Sequence, residues 1–299
     1  MVRWVDGSGG GGRGAVGQNP PFGAVVHYVL PAGLDEEDAN EVVIDFLDAD
    51  GEVLRSLSSQ EPEKRAPSPW RRFFPEMAEP PLLDARAGAN RAVWNLALPD
   101  AGLVDDAVLW GWPGGPTMPP GSYQVRLTVG EYSETAKFDV VQDPRTNISQ
   151  EAFDEQYALA REIWQALTRS HETIEQIREV RGQIEAISAR VEDEAIKERA
   201  EEISKVLTAI EEKLTQVMNE SSQDVLNFQP QIDNQLLNLQ SVVESSLGAP
   251  NASSREVFAL LEAELDGYVA ELDVVLADQL PELERLLEES QSPRVVVVR

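Results

Sequence analysis

The sequence contains no cysteine among its 299 residues. Disulfides, thiolate metal centres, cysteine nucleophiles and iron–sulfur clusters are therefore excluded. Histidine is almost as scarce, with only His27 and His171. A histidine ligand pair or a Ser-His-Asp triad would need these residues near each other or near a nucleophile, yet they fall in regions of different predicted structure. We therefore predict structural or surface roles for both, and neither a catalytic residue, nor a metal site, nor a cofactor is expected.

Long apolar runs are absent as well, so no membrane insertion is expected. The first residues lack the apolar core of a signal peptide, and none is predicted. Lysine is rare: five lysines and twenty arginines face 53 acidic residues, giving a net charge of −28. Such a surface repels nucleic acid and anionic lipid. It fits a halophilic source, where salt screens the repulsion, and equally an acidic helical region from an arginine-favouring genome.

Proline and glycine are concentrated in the first half of the chain. Fifteen of the nineteen prolines and seventeen of the twenty glycines precede residue 146. This shift indicates a domain boundary. We predict four segments, which are a flexible Gly-rich linker (1–18), a β-sandwich (19–145), a four-helix bundle (146–290) and a C-terminal tail (291–299). The Gly-rich opening leads us to expect another domain upstream.

Short β-rich runs separated by Pro/Gly turns fill the predicted sandwich. Strands are expected at 24–30, 42–47, 53–57, 90–96, 122–129 and 132–141. In two of them alternation places Ala92, Trp94 and Leu96, or Tyr123, Val125, Leu127 and Val129, on one face. This pattern predicts an Ig-like or FnIII-like antiparallel β-sandwich, followed by helices, in an α+β multidomain chain.

After residue 149 the apolar period becomes helical. Ser149 is a predicted N-cap for a first helix of roughly 40 residues, about 60 Å long. A second apolar stripe runs from 196 to 217. A third follows Pro230, placed at the first helical position, and stops at Gly248. The fourth starts at Ser253 or Ser254, uses Val257 among its apolar positions and kinks near Pro281. Together they predict an all-α antiparallel bundle with long helices.

Several motifs occur in the order found in a known family. They are Asn19-Pro20-Pro21-Phe22-Gly23-Ala24, Leu47 to Gly51, Gly88 to Leu96, Pro119 to Leu127, Asp143-Pro144-Arg145, and Leu226 to Pro230 followed by Gln235-Leu236-Leu237. Together they resemble the C-terminal region of secreted bacterial proteins with BNR/sialidase-like β-propeller repeats, often labelled glycosyl hydrolase or sortilin-like. The β-part also resembles the FlgD-type Ig-like fold.

The resemblance implies a secreted, periplasmic or cell-surface location and a β-propeller domain as partner. The sequence itself has no Ser-x-Asp-x-Gly-x-x-Trp box and no tandem repeats of 40–50 residues. Any activity carried by the propeller is therefore not transferred to this chain. The chain is interpreted as the C-terminal region of such a protein without the β-propeller domain.

One basic and aromatic segment stands out in this acidic protein. It spans residues 63–74 in a predicted loop and contains the candidate partner-binding residues Arg65, Trp70, Arg71, Arg72, Phe73 and Phe74. Arginine and aromatic residues are enriched at interface hot spots. Two interpretations remain open: docking to a partner domain or to the protein's own acidic helices, and packing of the loop over the sandwich.

A second aromatic loop runs from 110 to 116, where Trp110 and Trp112 are candidate residues for stacking on a sugar ring. The competing interpretation is that this loop caps the sandwich core. Asp48-Ala49-Asp50-Gly51 resembles the start of a calcium loop, but strand residues follow, so a hairpin turn is predicted. Acidic pairs such as Glu201-Glu202 are interpreted as solvated helix faces.

The sequence therefore predicts a non-catalytic interaction or scaffolding module. The alternative is an accessory domain of a glycoside-processing enzyme that contacts carbohydrate. A weaker alternative is a coiled-coil dimerisation module. The Val-rich tail 294–299 is expected either to add an edge strand to a sheet or to fray.

Overall fold

A computed structural model describes residues 22–32, 42–61, 82–221 and 223–290. It is an α+β structure in which antiparallel sheets precede a set of helices, as predicted. The strands are β1 (Ala24–Leu30), β2 (Val43–Leu47), β3 (Val53–Ser58), β4 (Gly88–Trp94), β5 (Gly121–Val129) and β6 (Tyr132–Val140). The helices are α1 (Gln150–Ser188), α2 (Glu194–Leu214), α3 (Ile232–Glu244), α4 (Ala252–Val274) and α5 (Leu280–Glu289).

The strands form two antiparallel sheets. One contains β1 and β4, and the other has the order β3-β2-β5-β6. The predicted turn joins β2 to β3, where the Asp48 carboxylate accepts the backbone N–H groups of Asp50 and Glu52 and Gly51 has φ +92°. Glycine adopts this φ without steric strain. The Asp48 side chain is thus used by the turn, which confirms the hairpin interpretation.

An aromatic cluster joins the two sheets. Trp94 of β4 stacks on Phe46 of β2 with ring centroids 4.7 Å apart, and Tyr123 and Phe138 pack edge-on against Trp94. Both Trp94 and Phe46 are fully buried. The Trp94 indole N–H donates to the carbonyl of Ala97, so its polar atom is satisfied inside the core.

Helix α1 begins and ends close to the prediction. The Ser149 hydroxyl accepts the Ala152 N–H, and the helix runs for 39 residues. Two other helix starts were predicted wrongly. Pro230 lies before α3, which begins at Ile232 and ends before Gly248, whereas α4 begins at Ala252 with Asn251 as its N-cap. Asn251 was missed because the neighbouring serines are also good caps.

The predicted kink near Pro281 is a π-helical turn at Val275–Gln279, between α4 and α5. Buried apolar residues in this part of the chain step from Val275 to Leu280, an interval of five residues instead of three or four. One extra residue in a helical turn keeps both residues on the buried face. Val257, predicted in the stripe, is exposed, and Phe258 is buried instead.

The long connection between β4 and β5 (residues 95–120) packs on the helices. Four of its apolar residues belong to the helical core: Ala101, Val104, Ala107 and Leu109. In return, Tyr157 and Trp164 of α1 pack against the core of the sheets. The connection therefore joins the sheets to the helices through shared apolar packing.

Candidate binding site

A cleft of about 290 Å³ lies where the sheets meet the helices. Its lining is mainly apolar and comes from the start of β1, the end of the β4–β5 connection, the end of β6, α1 and the segment after α3. The apolar lining residues include Phe22, Met118, Val140, Val141, Phe153 and Leu247. Phe22 is 55% exposed and Val141 is 81% exposed. An apolar concavity with exposed apolar walls is typical of a ligand or partner site.

The polar groups around this cleft are largely engaged within the chain. Gln156 of α1 donates to the carbonyls of Val243 and Ser246. Glu244 accepts the Thr117 N–H through one oxygen and the Gln240 amide through the other. These bonds connect the walls of the cleft to one another.

Polar side chains of α3 fix the β4–β5 connection along the helices. The Asn234 carboxamide accepts the Trp110 N–H at 2.8 Å and donates to the Trp110 carbonyl at 3.0 Å. Gln240 donates to the Gly114 carbonyl at 2.7 Å. Because these side chains are buried, each bond also satisfies a group that would otherwise be costly to desolvate.

His171 and Asp233 form a buried pair beneath the same connection. The Val104 N–H donates to His171 Nδ1, so in the neutral ring the proton is on Nε2. His171 Nε2 lies 3.7 Å from Asp233 Oδ2, and neither atom has a hydrogen-bond partner among the described residues. Asp233 Oδ1 accepts the Asn234 N–H, and the Thr215 side chain also bonds the carboxyl.

Burial shifts both of these groups toward their neutral forms. It raises the pKa of Asp233 to about 7, although bonds from Thr215 and the Asn234 N–H oppose the shift. Burial also lowers the pKa of His171 to about 3, with a further decrease from the Arg178 charge and a partial offset from Asp106. The pair is fully enclosed by packing, so the structure favours the predicted structural role for His171.

The two candidate sugar-stacking residues, Trp110 and Trp112, are both exposed. The expectation that their loop caps the sandwich core is wrong, because Trp110 and Gly114 are bonded to α3 and Gly111 lies against Leu237 of the same helix. His27, on β1, is exposed on the surface. The partner-binding candidates Arg65, Trp70, Arg71, Arg72, Phe73 and Phe74 lie outside the described residues, as do the linker and the tail.

No family model, no curated protein and no solved structure matches this chain. Within the described ranges, no helix has the length and apolarity needed to cross a bilayer. The same residues contain no group of three or more histidine and acidic side chains placed to hold a metal ion.

Proposed function

We propose that this protein is a non-catalytic interaction module whose partner-binding surface is the apolar cleft between the sheets and the helices. The exposed Phe22 and Val141 at this cleft carry the proposal. Exposed apolar side chains around a concave surface favour binding of a complementary apolar segment. The packed β4–β5 connection supports the same function, because it holds the sheets against the helices that form the two walls of the cleft.

We infer an Ig-like sandwich because the neighbours β2, β5 and β6 correspond to the CFG sheet of that fold, with β1 and β4 opposite. Tyr123, near the start of β5, donates its hydroxyl to the Pro119 carbonyl at 2.7 Å. This contact resembles the tyrosine corner of Ig-like domains. The helices are interpreted as an antiparallel bundle.

A β-propeller remains the proposed partner domain, on the basis of the ordered motifs and their family resemblance. The proposal places the propeller upstream of the Gly-rich segment, in a secreted, periplasmic or cell-surface protein. A partner of this kind would meet the apolar cleft or the Arg/aromatic segment 63–74, whose composition favours interfaces.

The cleft proposal is tested by selecting random peptides displayed on phage against the immobilised protein. We expect the enriched peptides to contain apolar or aromatic residues. Their binding should shift the methyl resonance of Met118, which lines the cleft, and should leave that of the exposed Met218 unchanged. Val141→Asp should weaken their binding at least tenfold. Leu260→Asp is the matched control, since Leu260 is 71% exposed on α4 and should leave affinity unchanged.

Failure to enrich any peptide, or equal binding to the Val141→Asp variant, would reject the cleft as the partner surface. A glycan array with the same immobilised protein tests the second candidate, which is favoured by the exposed indoles of Trp110 and Trp112. Glycan binding that is lost in Trp112→Ala would support a carbohydrate-contacting accessory domain. The hypothesis of dimerisation through a coiled coil has less support, because the helices bury their main apolar stripes within the chain.

A further inference from the structure

Strand β1 has one edge that pairs with no strand in the described part of the chain. Its other edge pairs with β4 over all seven residues, from Ala24↔Trp94 to Leu30↔Gly88. The unpaired edge presents backbone N–H and C=O groups, and the exposed side chains Val25 and Val29 lie on the outer face of the strand. Open edges of this kind accept additional strands.

The small sheet leaves part of the larger sheet uncovered. Leu83, just before β4, bonds to Ser58 of β3, whereas Phe22, just before β1, lines the cleft with Val140 at the end of β6. Thus β4 lies toward the β3 side and β1 toward the β6 side. On the face of the larger sheet that meets the small sheet, burial decreases in the same direction. Ile44 and Phe46 of β2 are fully buried, whereas Tyr132 of β6 is 57% exposed.

On β5 and β6 this face is apolar but only partly covered. Val125, Leu127 and Val129 are half-buried, and their β6 neighbours Ala136 and Tyr132 are exposed, Tyr132 by 57%. A strand added to the free edge of β1 would extend the small sheet over this uncovered surface. The site thus combines an unpaired backbone edge with apolar side chains that lack a facing layer.

Outside the described residues, the longest run of β-branched residues is Val295 to Val298, flanked by Arg294 and Arg299, and such residues favour strands. The segment directly before β1 is a poor alternative, because Pro20 and Pro21 lack an N–H and residues 9–12 are glycine. Arginine also suits this acidic surface, where Glu134 of β6 lies on the uncovered face.

Ion pairs show that α4 and α5 run away from the sheets. Arg255 of α4 pairs with Glu155 near the start of α1, Asp266 pairs with Arg169 farther along, and Glu282 of α5 pairs with Arg199 near the start of α2. Helix α2 starts six residues after α1 ends. From Tyr157 to the end of α1 is about 46 Å along the axis, whereas the five residues from Ser290 to Val295 can span at most about 18 Å. The Val295–Val298 run therefore falls short of β1 in its own chain.

We propose that the free edge of β1 binds the Val295–Val298 strand of a second copy of this chain. Two copies arranged antiparallel about a two-fold axis exchange these strands reciprocally, and the dimer is closed. The added strand covers Val125, Leu127 and Tyr132, and its arginines approach Glu134. This inference is independent of the cleft and of its proposed partner.

The experiment uses full-length chains that each carry one cysteine, which is unique because the protein has none. A Val25→Cys or Val29→Cys chain is mixed with chains carrying cysteine at each position from 295 to 298, under mild oxidation. We expect a disulfide-linked heterodimer for alternate tail positions, since side chains of neighbouring strands on one face lie within disulfide range. Val53→Cys on edge strand β3 is the control acceptor; Val53 is 46% exposed and Val25 is 40% exposed.

Light scattering after size-exclusion chromatography gives the second readout. The unmodified protein should have twice the mass of the chain at micromolar concentration, and Val296→Pro should halve it without changing circular dichroism. A monomeric unmodified protein, a dimer that survives Val296→Pro, or equal cross-linking to Val53→Cys would each overturn the proposal. Failure of peptides to bind the cleft would not affect the proposal of strand exchange.

Discussion

Glu211→Ala should destabilise the protein by about 3 kcal/mol, the lower end of the range for breaking a buried charge pair. The Glu211 carboxylate is buried and accepts hydrogen bonds from Arg178 at 2.6 Å and Arg181 at 2.5 Å. Arg178 also donates to Asp106 of the β4–β5 connection. Removing Glu211 leaves two partly buried guanidinium groups without their shared partner. Urea unfolding followed by circular dichroism measures the loss.

Glu212→Ala provides the matched control. Glu212 is the next residue of α2 and is exposed, so we expect a change within about 0.5 kcal/mol. Equal losses for the two variants would mean that the Glu211 ion pairs contribute nothing specific to stability.

Asp233→Asn and His171→Asn should change the pH dependence of stability in opposite directions. The folded pKa of His171 is lowered, so its stabilising contribution is present above its ordinary pKa of 6.5 and is lost as pH falls toward 3. The folded pKa of Asp233 is raised, so its contribution is present below 3.8 and is lost as pH rises toward 7. Between about pH 4 and 6.5 the two contributions oppose each other in the unmodified protein.

With Asp233→Asn only the histidine contribution remains, so stability relative to the unmodified protein should rise with pH over this window. With His171→Asn only the carboxyl contribution remains, and stability should fall with pH. Each unit of pKa displacement corresponds to about 1.4 kcal/mol. Urea midpoints measured at several pH values check the prediction. Parallel curves for both variants would show that the pKa of neither group is shifted. Arg178 and Asp106, whose charges act on His171, are unchanged in each variant.

The sequence predicted the strands and helices well, because their apolar periods of two and of three to four residues coincide with buried faces. It also carried an unrecognised signal for the π-helical turn, namely the five-residue step from Val275 to Leu280. Asn234, Gln240 and Glu244 are a second missed signal. They are polar residues on one stretch of α3 whose side chains all meet the β4–β5 connection.

The cleft could not be predicted from local patterns. Its walls come from parts of the chain as distant as Phe22 and Leu247, and they meet only through tertiary packing. One of the two interpretations of the sequence places the loop of Trp110 and Trp112 over the sandwich core. The structure places it on α3, where two backbone groups of Trp110 find a carboxamide of matching geometry.

The sheets and helices form one unit, held together by the β4–β5 connection, and this unit shapes the cleft. The most direct test compares two signals during urea unfolding: far-ultraviolet circular dichroism for the helices, and the fluorine resonance of 5-fluorotryptophan at Trp94 for the sheets. We predict a single coincident transition for both. Loss of the native Trp94 signal while the helical signal remains intact would mean that the sheets and the helices unfold as separate units.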